Sequence, residues 1–294
     1  MLVGFGPGGG TDNIARLYAV KLQEILNTPV IVENKPGASE VLAAQPVMAA
    51  APDGYTLWLG TGSALAQGPG VRKDLPYDPL KNFTPVALVA DGEAVLSVRP
   101  GVPAHSLGEL IAYAKANPGK LNYGSAGVGA GNHLLAEYIS LMTGISMVHV
   151  PYKSDVEVTR DAVAGNVDFA LTTVAITRPF VTEGKLRALA VTGNQRLKTL
   201  PDVPSVAESG VPELRSMGSY TFFGLMGPTG LPPAVVQRLS DAINQIAAMP
   251  DVGQRMREGF MFEPTSSTPA GSRQYIEREL TKWRELGKNL KVGN

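Results

Sequence analysis

The sequence predicts an α/β protein built from two lobes. Three observations predict it. Short β-branched runs alternate with amphipathic helical patterns along the chain. The length of 294 residues with 44% apolar content lies where one core tends to split into two. Gly and Pro, 33 and 23 residues, punctuate the periodic segments without clustering into a linker, which predicts strands that cross between the lobes.

Val30 to Val32, Tyr55 to Gly60, Val86 to Val89 and Ala94 to Val98 read as strands. A helix with Ile14, Leu17, Tyr18, Leu22, Ile25 and Leu26 on one face precedes the first of them. The grammar then repeats. Ser106 and Glu109 form a predicted capping box, Leu121 to Tyr123 a strand, and Asn132 the start of a helix. Met147 to Val150, Val167 to Leu171 and Leu186 to Val191 complete a mostly parallel set of strands. After the apolar run Tyr220 to Met226, helices open at Pro232-Pro233 and at Thr268-Pro269.

Composition removes several function classes. Lys plus Arg and Asp plus Glu are both 26, so no basic excess exists to neutralise phosphates, and nucleic acid is not an expected partner. No run approaches the ~20 apolar residues of a membrane span, and the N-terminal residues lack a leader pattern, so a signal peptide is expected to be absent from this chain. Cysteine is absent, which excludes disulfides and thiolate chemistry.

Gly6-Pro7-Gly8-Gly9-Gly10-Thr11-Asp12 lies between a strand stub and a helix. Glycines admit close approach of a ligand to the backbone, and a helix N-terminus offers unpaired N–H groups to an anion. A tight βα turn capped by Thr11 or Asp12 is the plain alternative. A third reading is a dinucleotide site, since Gly4, Gly6 and Gly9 fit G-x-G-x-x-G and Glu33 follows where a ribose-binding acid would stand. Gly124 to Leu134 repeats the glycine-rich strand-to-helix pattern in the second half, and two such loops suit a dicarboxylate. No G-x-S-x-G elbow occurs, and His105, His133 and His149 lack metal-ligand spacing. Tyr77 and Lys81 have the Y-x-x-x-K spacing of some reductases, but Pro79 between them reads as a turn.

Pro7 to Asp12, Glu33-Asn34-Lys35-Pro36-Gly37-Ala38, Pro52-Asp53-Gly54-Tyr55-Thr56-Leu57 and Tyr77-Asp78-Pro79-Leu80 resemble, in order, the Bug-type solute-binding receptors of tripartite tricarboxylate transporters. Asn117 to Leu121, Tyr123 to Gly127, Val150-Pro151-Tyr152-Lys153 and Leu200 to Gly210 extend the resemblance over nearly the entire chain. It implies a type II periplasmic binding-protein fold, with two mixed, mostly parallel sheets and a cleft between lobes. Residues 1–98 and 223–294 would form lobe one and residues 99–222 lobe two. It further implies a non-enzymatic periplasmic receptor without a cofactor, expected to be a monomer, that closes on a small carboxylate and passes it to membrane transporter subunits. A sensor for a membrane signalling partner would share that fold.

The cleft residues implied are Gly9, Gly10, Thr11 and Asp12, then Thr61 and Ser63, then Ser125, Ala126, Gly127 and Gly131. Asp168 resembles an acid beside the cleft and Phe222 part of an aromatic hinge; helix capping and core packing explain these two equally well. Two departures stand out. Ser39-Glu40 replaces a glycine-rich continuation and Ser154-Asp155 follows Lys153 where glycine is common, so Glu40 would repel an anion if it faced the cleft.

Overall fold

Each apolar run finds a partner in one of two sheets. We describe them from a computed structural model covering residues 1–288. Along the chain come β1 (Leu2–Val3), α1 (Gly10–Leu26), β2 (Glu33–Asn34), α2 (Val41–Met48), β3 (Trp58–Thr61), α3 (Gly68–Val71), β4 (Phe83–Gly92) and β5 (Ala94–Val98). There follow α4 (Leu107–Ala116), β6 (Asn122–Ser125), α5 (Gly131–Thr143), β7 (Val148–Pro151), α6 (Asp155–Ala164), β8 (Phe169–Thr173), α7 (Val174–Thr182) and β9 (Arg187–Val191). The chain ends with β10 (Thr221–Pro228), α8 (Pro233–Ala247), α9 (Pro250–Gln254), β11 (Phe262–Pro264) and α10 (Pro269–Gly287).

Unit 1 comprises Met1–Asp91 and Thr221–Lys288, with strand order β11-β4-β10-β3-β1-β2. Unit 2 is Gly92–Tyr220, with order β7-β6-β8-β5-β9. The chain thus changes unit just before β5, whereas the sequence reading sets the division after Val98. β5 pairs with β8 and β9 and so belongs to the second sheet. The last six residues assigned to lobe one, 289–294, lie outside the described residues.

Both sheets are mixed. β1 runs parallel to β2 and β3, and β6 parallel to β7 and β8, as helix crossovers require. β5 is antiparallel to both neighbours and β10 is antiparallel to β3. These two are the first strands the chain forms after each change of unit, and neither is reached through an α-helix; two short 3-10 turns, Val206–Glu208 and Pro212–Leu214, precede β10.

The unit 1 core joins Ile14, Tyr18 and Leu22 of α1 to Leu59, Val86, Val89, Leu225 and Ile243, with Leu17, Ile25 and Leu26 packed at its margin. The predicted apolar face of α1 is therefore the face that packs. In unit 2, Val158, Ala162, Val167, Ala170 and Leu186 form one buried cluster.

Some boundaries move. Val30 to Val32 is not a strand: β1 offers only Leu2 and Val3 for pairing, and these register with Glu33 and Asn34. Tyr55 lies in a turn closed by Asp53, so β3 begins at Trp58. Ser106 caps α4 by accepting from Glu109 N at 3.1 Å, while the Glu109 carboxylate reaches His105 N and not its own cap residue. The reciprocal box occurs instead at Ser205 and Glu208. Tyr77 to Lys81 is a turn held by Asp78, and the Tyr77 hydroxyl donates to Ala64 O. No helix among the described residues is long and apolar enough to cross a membrane.

Candidate functional site

Unit 1 carries the first glycine loop at the C-terminal end of β1. Only Gly8 of Gly6, Gly8 and Gly9 needs glycine for its backbone, with φ of +85°. A Cβ at Gly6 or Gly8 would meet nothing within 4 Å, and at Gly9 only Gly6 O at 3.8 Å. Packing therefore does not explain why Gly6 and Gly9 lack side chains, and their absence leaves this stretch of backbone open to close approach. Gly10 differs, since a Cβ there would meet Phe262 at 2.8 Å. Gly9 precedes α1 and no side chain caps the helix, so its first N–H groups have no side-chain partner.

Asp12 is the brace of this loop. Its carboxylate accepts from Gly8 N at 2.8 Å, Arg16 Nε at 2.9 Å and Asn34 Nδ2 at 2.8 Å, and Asn34 also donates to Phe5 O. Burial by itself would raise the pKa of Asp12, but hydrogen bonds from Arg16, Gly8 and Asn34 outweigh it and hold the group at about 2. Both oxygens are thus committed to shaping the loop. Thr11 is buried beside it in the first turn.

The end of β3 supplies Thr61, followed by Gly62 and a wide helical turn, Ser63–Gln67, in which Ser63 Oγ donates to Gln67 at 3.1 Å. Thr61 is already engaged. Its hydroxyl donates to Glu40 Oε1 and its N–H to Glu40 Oε2 at 3.4 Å. Glu40 is 2% exposed, and burial pushes its carboxyl up to about 7 against the smaller opposing effect of the Thr61 bonds. It closes a run of three non-glycine residues with positive φ, Ala38 at 48°, Ser39 at 52° and Glu40 at 71°. Such strain persists only where surroundings over-determine it. Here Gly4 supplies the room, since a Cβ at Gly4 would lie 2.4 Å from Glu40 Cγ. Phe222 packs edge-on against Tyr275, and a Cβ on Gly62 would collide with it at 2.9 Å.

Unit 2 carries the second loop at the C-terminal end of β6. Ser125 is wholly buried, its hydroxyl 2.6 Å from His149 Nε2 and 3.1 Å from both Gly127 N and Gly127 O. Asn132 Oδ1 accepts from Ala126 N and His133 N, while its Nδ2 donates to Asp155 at 2.9 Å. His133 Nδ1 accepts from Gly129 N at 3.1 Å, so the loop needs a neutral His133 protonated on Nε2. Gly127 and Gly129 have φ of +115° and +81°, and a Cβ at Gly129 would meet open space. α5 starts at Gly131 behind Ala130, again without a side-chain cap.

The two histidine rings lie 4.3 Å apart with Tyr123 stacked on His149 at 4.9 Å. Burial lowers the pKa of both, and for His149 the neighbouring His133 lowers it further. Asp155 is pushed up to about 6 by burial, opposed by hydrogen bonds from Tyr220, Thr173 and Asn132. Sequence reasoning assigns no role to Asn132, His133, His149 or Asp155. A cue exists in the unbroken run Gly131-Asn132-His133, which places two hydrogen-bonding side chains at the mouth of a helix.

Asp168 is not brought to this loop. It accepts from Arg99 Nε at 2.8 Å and from Asn122 N at 3.0 Å. Asn122 opens β6 and Ser125 closes it, so Asp168 stands at the opposite end of the strands, about 10 Å away at the usual strand rise. Its role there is to pin β5, β6 and β8 together.

Among the described residues no group of His, Asp and Glu side chains is arranged to hold a metal ion. What remains in each unit is a glycine-rich loop ahead of a helix whose N-cap residue gives no side-chain cap; in unit 2 the N–H groups of Ala126, Gly127 and Gly129 are already engaged. Residues 14–292 match the model of the tripartite tricarboxylate transporter family receptor. The chain belongs to that family of solute-binding receptors. The protein BugT of Bordetella pertussis is 34% identical over 99% of this chain and 90% of its own. An R. palustris protein solved with adipate has TM-score 0.83 and 32% identity, covering 98% of this chain and 95% of that one. The periplasmic binding protein BugD has TM-score 0.80 and 31% identity, covering 99% and 97%. The family match gives the dinucleotide alternative no support, and Glu33, its required acid, is exposed and paired with Lys35.

Proposed function

We propose that this receptor captures a small carboxylate in the periplasm and delivers it to the membrane subunits of a tripartite tricarboxylate transporter, acting as a monomer and making or breaking no bond. The observation that carries this reading is the pair of glycine loops whose missing side chains leave open space in front of the uncapped starts of α1 and α5. Backbone N–H groups at a helix N-terminus hold an anion by charge-assisted hydrogen bonds and the helix dipole. Gly9, Gly10 and Thr11, with Thr61 and Ser63, are the contacts proposed in unit 1, and Gly131 that in unit 2, where Ala126 N and Gly127 N already donate to Asn132 Oδ1 and Ser125 Oγ. Asp12 and Ser125 shape the two loops; Asp168 and Phe222 act in packing. The carboxylate assignment draws support from the family and from the adipate-bound relative.

Thermal melting with a panel of dicarboxylates, aromatic acids and NAD(P)H tests this. A bound acid at 100 times its Kd is expected to add about 2.7 kcal/mol of stability. A shift with NAD(P)H and with no acid overturns the proposal.

A further inference from the structure

Glu40 is a buried carboxylate placed where an anion-binding loop would want none. It is not idle: it takes both hydrogen-bond donors of Thr61, the hydroxyl and the backbone N–H. A hydroxyl has one proton to give and lone pairs that accept. With its proton directed at Glu40, Thr61 Oγ1 presents only acceptor character to anything else that approaches it. The strained left-handed run Ala38, Ser39, Glu40 and the clearance at Gly4 show that the backbone is bent to put the carboxyl there.

We infer that Glu40 sets ligand specificity through Thr61, so that the β3 end of the unit 1 site receives a hydrogen-bond donor of the ligand, a hydroxyl, amino or amide group on a carboxylic acid, in place of a second bare carboxylate oxygen. This rests on the carboxylate-receptor reading above. Glu40 touches no ligand in this scheme; it is a positioning residue acting through Thr61. The neighbours that face it are uncharged: Trp58, Thr61 and the Tyr77 phenol, which burial holds neutral. A proton on Glu40 reverses the arrangement, because a carboxylic acid donates to Thr61 Oγ1 and releases the Thr61 proton toward a ligand. A plain diacid therefore binds at this point only with uptake of a proton, and selectivity depends on pH.

The test is calorimetric binding of matched pairs, succinate against malate and aspartate, and benzoate against 4-hydroxybenzoate, to the wild-type chain and to Glu40→Gln at pH 8 and pH 6. The glutamine side chain is isosteric with glutamate, and its amide can donate to Thr61 Oγ1 at every pH. Wild type is expected to prefer the donor-bearing member about tenfold at pH 8 and less at pH 6. In Glu40→Gln the preference is expected to vanish or reverse, with no change between the two pH values. Glu40→Gly, which relieves the positive φ, is the second variant and is expected to lose the preference as well. Binding with the same ratio in wild type and both variants, or a wild-type ratio independent of pH, overturns this inference alone. Failure of every acid to bind wild type overturns the receptor reading and this inference with it.

Discussion

At the scale of single residues, the chain stores several ionisable groups out of water, and their linkage signs oppose one another. Glu40 is raised to about 7 from an ordinary 4.5, so the folded state holds its proton more tightly. Its stability contribution is full below 4.5 and is lost as pH rises through 7, a change on the order of 3 kcal/mol. Glu40→Gln is therefore expected to be more stable relative to wild type at pH 8 than at pH 5, read from denaturation midpoints at both. His133 and His149 are lowered from 6.5, so their contribution is present above that value and lost as pH falls below it. Protonated His133 can no longer accept from Gly129 N. In His133→Gln the acid side of the stability profile between pH 6.5 and 5 is expected to be flatter than in wild type. Asp12 works in the opposite sense to Glu40, its benefit present above 3.8 and lost toward 2. Asp12→Ala strands Gly8 N, Arg16 and Asn34 and is expected to cost about 1–3 kcal/mol in a urea melt at pH 7.

At the scale of elements, the first glycine loop separates residues that serve packing from residues that serve approach. Gly9→Ala adds a methyl group that meets only Gly6 O, at an ordinary contact distance of 3.8 Å, at a φ of −76°, which any residue adopts. Its expected effect on unfolding is within about 0.5 kcal/mol, while its affinity for the acid found in the melting panel falls. Gly10→Ala drives a methyl into Phe262 and is expected to cost about 1–3 kcal/mol in the same melt. A result in which Gly9→Ala destabilises as much as Gly10→Ala would return the loop to a structural turn. The elements also show which local signals are reliable. α1, α8 and α10 start at or within two residues of the Gly and Pro marks that the sequence offers, because capping and proline geometry act over one turn. β2 falls outside the run Val30 to Val32 because a two-residue strand is chosen by its neighbour's register and not by its own β-branched content.

At the scale of the whole molecule, each unit has its own core, and the two tryptophans report on only one of them. Trp58 and Trp283 both lie in unit 1 and are fully buried, Trp58 against Tyr77 and Phe83. Leu225 lies fully buried in β10, in the core of the same unit that packs around α1 and α8. Leu225→Ala is expected to lower the unfolding free energy by about 2–5 kcal/mol, read from tryptophan emission in a denaturant titration.

The sequence by itself determined the α/β class, most of the order of helices and strands, and the family, because periodicity, caps and ordered turn motifs are local and repeat along the whole chain; the antiparallel placing of β5 and β10 was decided by the fold. It also pointed to both glycine loops, since a glycine run between a strand and a helix is visible without coordinates. What lay beyond it was the use made of each side chain, which depends on partners far along the chain. Asp12 reads as a ligand contact in the sequence, and the fold shows Asn34 and Arg16 consuming it. Asp168 reads as a cleft residue, and strand register puts it beside Asn122. Glu40 reads as a repelling charge, and only the tertiary structure brings it to Thr61, 21 positions away, where burial and a hydroxyl decide its protonation and its purpose.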